Sequence, residues 1–452
     1  MFSRRLLSKP IPRVPTRRTW TSLTRTPDSI IIHALNNSTF PHIWLRDSCQ
    51  GPESINHKTG HKLNCTSDVA LDIAPVEDPS AVKVTDTGLE ISWNDGKKSV
   101  FTKRWLETYS TAAVEEKFHW DDTFKIQPWT RATIEASDTL TGVPYADFMS
   151  SDRALLSSME QLAKWGLLFI RGVPTEETSD EKCELKRLAD RFGEMRKTFY
   201  GLVWDVVKLK DGKNVAFTNL ALRLHMDVLY VLFELIQHLS NIVFFKKHRY
   251  LEHPPQYQIL HCLRNKAIGG TSIAVDGVFA AQRLRESHPA DFDILTQTPV
   301  TFHYIHDGHH IHQNRPTIVL APPTPLSSRR EVLEINYSPP EQGPLPLSTP
   351  KEFYPALKRL TDLFKKEEYI LTYDLGEGDA VIFDNRRLVH GRTAFRYMTD
   401  EERMKTGRSV DDGQPDRWLK GCYLGADAVM DRMRVLKTRF VTGKPGLEYV
   451  TY

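Results

Sequence analysis

The sequence predicts a mainly β fold with flanking helices: a small N-terminal β domain, then a larger unit closed as a barrel or double-sheet jelly roll. Three observations carry this. Residues 28–125 alternate short apolar runs with turn formers, as in Leu89-Glu-Ile-Ser-Trp93, Asn94-Asp95-Gly96 and Ser99-Val-Phe101, the pattern of antiparallel strands and tight turns. Helical spacing opens the larger unit over Asp147–Ala163 and returns over residues 179–195. Beyond residue 200 the chain turns to many short strands, interrupted by helices at Phe279–Glu286 and Tyr354–Glu368.

Taken in order, residues 1–27 come first. They carry Arg4, Arg5, Lys9, Arg13, Arg17, Arg18 and Arg25 with no acid before Asp28, which reads as a mitochondrial presequence, the alternatives being a disordered basic tail and, for the protein, a cytoplasmic location. Within the 28–125 domain, Ile30–Ile32 and Ile43–Leu45 read as further strands, and residues 126–145 as a linker to a catalytic domain over 146–440. There Trp165–Pro174 reads as a buried strand ended by a Gly/Pro turn, and Val215–Thr218, Ile259–Leu263, Thr271–Asp276, Val332–Tyr337 and Ala380–Phe383 as later strands.

Bulk composition excludes several classes. At 452 residues the chain is long enough for one large domain and a smaller one. A net charge of +3, with no basic stripe interleaved with aromatics, implies no nucleic-acid partner. Five scattered cysteines do not make a disulfide scaffold, and no uncharged apolar run is long enough to span a bilayer.

The chemistry-bearing stretch is Asn214–Tyr230, which holds His225 and Asp227. On an extended strand such residues point to one face, so an imidazole and a carboxylate converge on one ion. A third ligand is needed. His390, in Asp384-Asn-Arg-Arg-Leu-Val-His390-Gly-Arg, completes a two-histidine, one-carboxylate triad, the donor set that leaves positions open on Fe(II). A chelating keto acid also needs a cation for its far carboxylate, a task suited to the planar fork of arginine. Arg417 is the candidate, with Arg386, Arg387 and Arg392 as competitors.

These residues bring a family into view. The chain resembles the γ-butyrobetaine and trimethyllysine dioxygenases, members of the taurine-dioxygenase-like, 2-oxoglutarate-dependent iron oxygenases. The resemblance runs from Trp44-Leu-Arg-Asp-Ser-Cys49 to Asp431-Arg-Met-Arg-Val-Leu436, through Phe199-Tyr-Gly-x-x-Trp204-Asp, Asn214-x-Ala-Phe-Thr, Gly269-Gly-x-Ser-x-x-Val-Asp-Gly277 and Arg417-x-Leu-x-Gly-x-Tyr423. It implies a double-stranded β-helix core, Fe(II), 2-oxoglutarate, O₂ and ascorbate, and possible assembly as a homodimer. By position in the family's motifs, His225, Asp227 and His390 are the iron ligands, and Arg417 and Asn214 bind the cosubstrate. Tyr200, Trp204, Phe217 and Tyr423 form an aromatic cage for a trimethylammonium substrate, recognised through cation–π contacts. The implied reaction is hydroxylation of γ-butyrobetaine to carnitine. Hydroxylation of trimethyllysine is the alternative, and an inactive paralogue acting as a binding protein is an alternative of another class.

The chain also departs from the family. Cys49, Cys65, His57 and His61 match no familiar zinc spacing, so a structural zinc is not expected. Leu202 stands where the family has histidine before the cage tryptophan, and Ser338 where γ-butyrobetaine enzymes can use asparagine. His303, His306, His309, His310 and His312 form a dense tract, a rival metal site by composition, but the resemblance puts them in a variable, solvated loop. Residues 231–250 (VLFELIQHLSNIVFFKKHRY) are an apolar insert, read as a lid or a retained intron; the intron is favoured because the insert offers solvent no polar face.

Overall fold

In the computed structural model the described residues are 20, 22–56, 58–111, 125–198, 200–207, 218–227, 254–306, 308–322, 329–406 and 415–442. Asn214, Phe217, His57, most of residues 1–27 and the whole of 231–250 lie outside them. The chain divides into two compact units, residues 1–121 with 447–452, and residues 122–446.

The smaller unit holds two three-stranded antiparallel sheets, one of Leu23–Arg25, Ser29–Ile32 and Ser38–Pro41, the other of Val82–Val84, Gly88–Ser92 and Lys98–Thr102. Ile30, Phe40, Leu89, Ile91, Trp93 and Phe101 share its core. Residues 43–45, expected as strand, instead lie in the helix His42–Asp47. Its buried residues are His42, Leu45 and Arg46, the i, i+3, i+4 spacing of a helix face. Three apolar neighbours in a row hid that period.

The larger unit is built on two sheets. The first holds β1 (Val143–Pro144), β2 (Leu167–Arg171), β3 (Val203–Val207), β5 (Tyr257–Asn265), β8 (Ala380–Asp384) and β10 (Arg417–Leu424), in the order β3-β10-β5-β8-β2-β1. The second holds β4 (Leu222–His225), β6 (Ser272–Asp276), β7 (Leu371–Tyr373) and β9 (Leu388–Arg392), in the order β4-β9-β6-β7. All pairs are antiparallel except β1 with β2.

Burial follows from the two-residue period of a strand. In β8, Val381 and Phe383 pack into the core between the sheets, while Ala380 and Ile382 face α1 (Asp152–Trp165), α2 (Glu184–Phe192) and α6 (Ala426–Thr442). β2 divides the same way, Leu167 and Phe169 inward, Leu168 and Ile170 outward. Both faces are covered, so these strands read as continuous apolar runs rather than alternating ones. Each large side chain buried there contributes roughly 1.5–3 kcal/mol. The second sheet is backed by α3 (Gly277–Ser287), α4 (Pro289–Gln297) and α5 (Phe353–Phe364), which pack on Val275 and Val389.

Two expectations are corrected here. Residues 126–145 are not a free linker: Trp129 and Ile134 are buried in the core between the sheets, and the helix Arg131–Glu135 and strand β1 lie within this stretch. Trp129 N–H donates to Asp276 Oδ2 at 3.0 Å. That carboxylate also meets the Arg387 guanidinium at 2.7 Å, with both side chains essentially inaccessible to solvent. Arg387 donates further to the carbonyls of Lys164 and Gln127, and Asp276 Oδ1 caps α3 through Val278 N–H and Phe279 N–H. The pair ties the entry segment, α1, β6 and α3 to the turn before β9. Gly166 makes room for it: its backbone is left-handed (φ 71°), and an added Cβ would come within 3.1 Å of Arg387 Cδ. The second correction is the histidine tract, which is not a loop. It lies in a two-stranded antiparallel hairpin of Pro299–His306 and His309–Pro316.

Candidate metal centre and cosubstrate site

β4 and β9 bring two histidines face to face. His225 pairs directly with His390 across the antiparallel ladder, so both rings project from one face, their centroids 4.5 Å apart. Asp227 does not reach them by strand alternation alone. β4 ends at His225, and Asp227 lies beyond the ladder. Asn385, fully buried in the turn between β8 and β9, takes the place of a partner strand. Its Oδ1 accepts from Asp227 N–H at 2.9 Å, and its Nδ2 donates to the Asp227 carbonyl at 2.9 Å and to the Pro255 carbonyl at 3.3 Å. Met226 N–H donates to the Tyr337 carbonyl at 2.8 Å on the other side.

Held this way, Asp227 Oδ1 lies 3.2 Å from His225 Nε2 and Oδ2 lies 3.7 Å from His390 Nε2. One ligand atom from each of the three residues lies within 4.8 Å of the other two, and among the described residues this is the group of His, Cys, Asp and Glu found placed to hold a metal ion. His225 Nδ1 is 2.8 Å from the Arg223 carbonyl, which fixes the tautomer and turns Nε2 toward the carboxylate. Burial opposes charge on all three groups. It would raise the Asp227 carboxyl, but the two imidazoles hold it well below the usual carboxylate range. It would lower His225, but the Asp227 carboxylate raises that ring above its ordinary value. His390 is pushed down by burial and by His225 beside it. Since the carboxylate strengthens proton binding at His225, an incoming divalent ion competes with protons for that ring, and uptake weakens as pH falls.

The arginines separate by their partners. Arg387 is committed to Asp276, and Arg386 to Glu334 at 2.9 Å and the Pro254 carbonyl at 2.9 Å. Arg392 donates to the carbonyls of Thr218 and Leu220. Arg417, the first residue of β10, is 6% exposed, and its Nε has no hydrogen-bond partner. Its guanidinium lies 5.3 Å from the Phe395 ring centroid, with Arg392 at 4.8 Å from that same ring. Burial lowers Arg417, and burial with the Arg417 charge brings Arg392 down to about 10. A buried, unpartnered guanidinium N–H beside a second cation is suited to an anionic carboxylate.

Three of the four aromatic positions are described, and they are contiguous. Trp204 pairs with Gly421 across β3 and β10. Its indole folds over that glycine so closely that an added Cβ would sit 2.3 Å from Cη2. The indole meets the Tyr423 ring at 5.4 Å and the Tyr200 ring at 6.3 Å. Tyr423 closes the connection to the triad, its hydroxyl donating to Asp227 Oδ2 at 3.2 Å. Sequence reading missed Asn385, although it stands inside the quoted Asp384–Arg392 motif.

The comparisons with known proteins agree with this geometry. The model of the family described as taurine catabolism dioxygenase TauD, TfdA matches residues 122–233 and 248–423, breaking off within the apolar insert. Dioxygenase str8 of Strobilurus tenacellus is 38% identical over 423 residues, covering 93% of this chain and 90% of that protein. The mitochondrial trimethyllysine dioxygenase of Rattus norvegicus is 26% identical over 404 residues, covering 88% and 82%. The γ-butyrobetaine dioxygenase of Homo sapiens is 27% identical over 421 residues, covering 90% and 93%. The two imidazoles, the carboxylate and the buried Arg417 guanidinium fit iron and a keto acid. With the matched residues taking in every part of this site, the chain belongs to the TauD/TfdA dioxygenase family and is an Fe(II)- and 2-oxoglutarate-dependent dioxygenase.

Proposed function

We propose that this enzyme hydroxylates a C–H bond of a trimethylammonium carboxylate, γ-butyrobetaine being the first substrate to test and trimethyllysine the second. The observation that carries the reading is the wall formed by Tyr200, Trp204 and Tyr423, joined to Asp227 through the Tyr423 hydroxyl. A quaternary ammonium cannot donate hydrogen bonds, so ring faces are what bind it, at about 0.5–2 kcal/mol each.

In this reading His225, Asp227 and His390 hold the iron, which with 2-oxoglutarate supplies the O₂ chemistry. Arg417 binds the far carboxylate of 2-oxoglutarate. Tyr423 has two tasks, fixing one Asp227 oxygen and offering its ring to the cation. Phe217 and Asn214 would complete the cage and the cosubstrate site; both lie outside the described residues. The two facing sheets support a double-stranded β-helix core, and the basic N-terminal segment supports a mitochondrial address.

One observation favours a second reading, a cationic substrate outside the carnitine pathway. The chain is 38% identical to a relative named only as a dioxygenase and 26–27% identical to the carnitine-pathway enzymes. Leu202 and Ser338 stand at positions where substrate contact is expected. Succinate release measured side by side with γ-butyrobetaine, trimethyllysine and the neutral tert-butyl isostere of γ-butyrobetaine separates the readings. Stimulation by one trimethylammonium compound and not by the isostere supports the proposal. Stimulation by neither cation would sink it and leave the second reading.

A further inference from the structure

The inner face of the first sheet carries a polar side chain that the chain itself does not satisfy. Gln258, on β5, is 1% exposed, and its Oε1 is buried with no hydrogen-bond partner. Strand alternation fixes the side on which it stands. Tyr257 and Ile259 pack outward among the residues of α1, α2 and α6, while Leu260 and Cys262 pack into the core between the sheets. Gln258 shares the inward side with Leu260 and Cys262.

Its neighbours on that side belong to the metal centre and to the aromatic wall. Gln258 pairs directly with Tyr423 of β10 and with Phe383 of β8. Directly paired residues share a face, with Cβ atoms about 4.5–5.5 Å apart. The Tyr423 hydroxyl meets Asp227 Oδ2 at 3.2 Å, and its ring meets the Trp204 ring at 5.4 Å. On the other side the Phe383 ring lies 4.6 Å from the His390 ring. The amide therefore stands between the wall and the triad. Burying an amide oxygen without a donor forfeits its hydration and returns nothing. In the wall of a site, such an orphan points to a ligand that supplies the missing contact. The oxygen is the negative end of the amide dipole, and the faces of the Tyr423 and Trp204 rings are negative too. All three favour positive charge in the space they share.

We propose that Gln258 is a specificity-determining residue of the substrate site, its amide oxygen facing the substrate cation beside the Tyr423 and Trp204 rings. The assignment rests on the trimethylammonium reading above and adds a contact that the rings do not make. The methyl groups of a quaternary ammonium carry its charge outward, and their C–H bonds act as weak donors to a carbonyl oxygen. A tert-butyl group has the same shape without the charge, so the oxygen gains nothing from it. Gln258 thus favours the cation over its neutral isostere.

The test is isothermal titration calorimetry of the full chain held anaerobically with Fe(II) and 2-oxoglutarate, so that binding is read without turnover. γ-Butyrobetaine and its neutral tert-butyl isostere are the probes. Gln258→Met keeps the length of the side chain and removes the dipole. It should weaken γ-butyrobetaine about two- to fivefold and leave the isostere unchanged. Gln258→Glu at pH 8.5 turns the dipole into a charge and should tighten γ-butyrobetaine about tenfold or more, but not the isostere. A merely structural role would move both probes the same way. Wild-type affinity for γ-butyrobetaine in Gln258→Met, equal losses for the two probes, or weaker cation binding by Gln258→Glu would each overturn the proposal. Trp204→Ala separates this proposal from the reading beneath it. A preference for the cation lost in Trp204→Ala but intact in Gln258→Met overturns the Gln258 assignment alone, whereas a wild type with no such preference overturns both.

Discussion

Asn385→Ala tests how the metal centre is held together. The substitution removes the acceptor for Asp227 N–H and the donor to the carbonyls of Asp227 and Pro255. Asn385 is fully buried, so water does not readily replace it. Three hydrogen bonds at about 1 kcal/mol net, with buried partners left unpaired, give a stability loss of about 2–4 kcal/mol. The effect on the metal is separate. Groups that orient a ligand are worth about 10–100-fold in metal affinity, or about 1.4–2.7 kcal/mol. Urea denaturation of the metal-free chain measures the first quantity. Anaerobic titration with Co²⁺, followed by its ligand-field absorbance, measures the second on protein that is still folded. An affinity within twofold of wild type would show that Asp227 is placed by something other than this side chain.

Three further outcomes follow from the same contacts. Asp276→Ala strands the buried Arg387 charge and uncaps α3, at about 3–5 kcal/mol for the charge and about 1 kcal/mol for the cap; in urea denaturation, Asp276→Leu/Arg387→Met should lose much less, because no charge remains unpaired. Asp384 is raised by burial from 3.8 to about 6. Between those values the folded chain binds more protons than the unfolded one, so this group's contribution to stability falls as pH rises, by about 3 kcal/mol in all. Asp384→Asn should remove that slope from stability measured between pH 4 and 6.5, and an unchanged slope would refute the assignment. If the proposed trimethylammonium substrate class holds, Trp204→Ala should raise its KM about 2–30-fold through the lost ring face, with Trp204→Phe nearer wild type; equal effects of the two variants would remove the cation–π account.

How much was legible in the sequence depended on how local each cause is. His225 and Asp227 announced themselves because two ligand types two residues apart are unusual beside a later His-Gly. The clamp on Asp227 did not, since its partner lies 158 residues away and asparagine in a turn normally signals only the turn. A separation of 111 residues likewise hid the Asp276–Arg387 pair, although Asp276 is a readable N-cap for α3. Residues 126–145 looked like a connector because short elements with proline and glycine resemble loops; the buried Trp129 and Ile134 show that they are core. The arginine choice was open in sequence and was narrowed by partners that sequence does not display. Helix α4 was missed although Pro289 at its start is a readable signal.

The central claim is that His225, Asp227, His390 and Arg417 together bind iron and 2-oxoglutarate as one unit. Anaerobic addition of Fe(II) and 2-oxoglutarate to the purified chain, read as visible charge-transfer absorbance, tests it most directly. The band should appear in wild type, vanish in His225→Ala and His390→Ala, and need much more 2-oxoglutarate in Arg417→Gln. Absence of the band in wild type, or its survival in His225→Ala, would contradict the account.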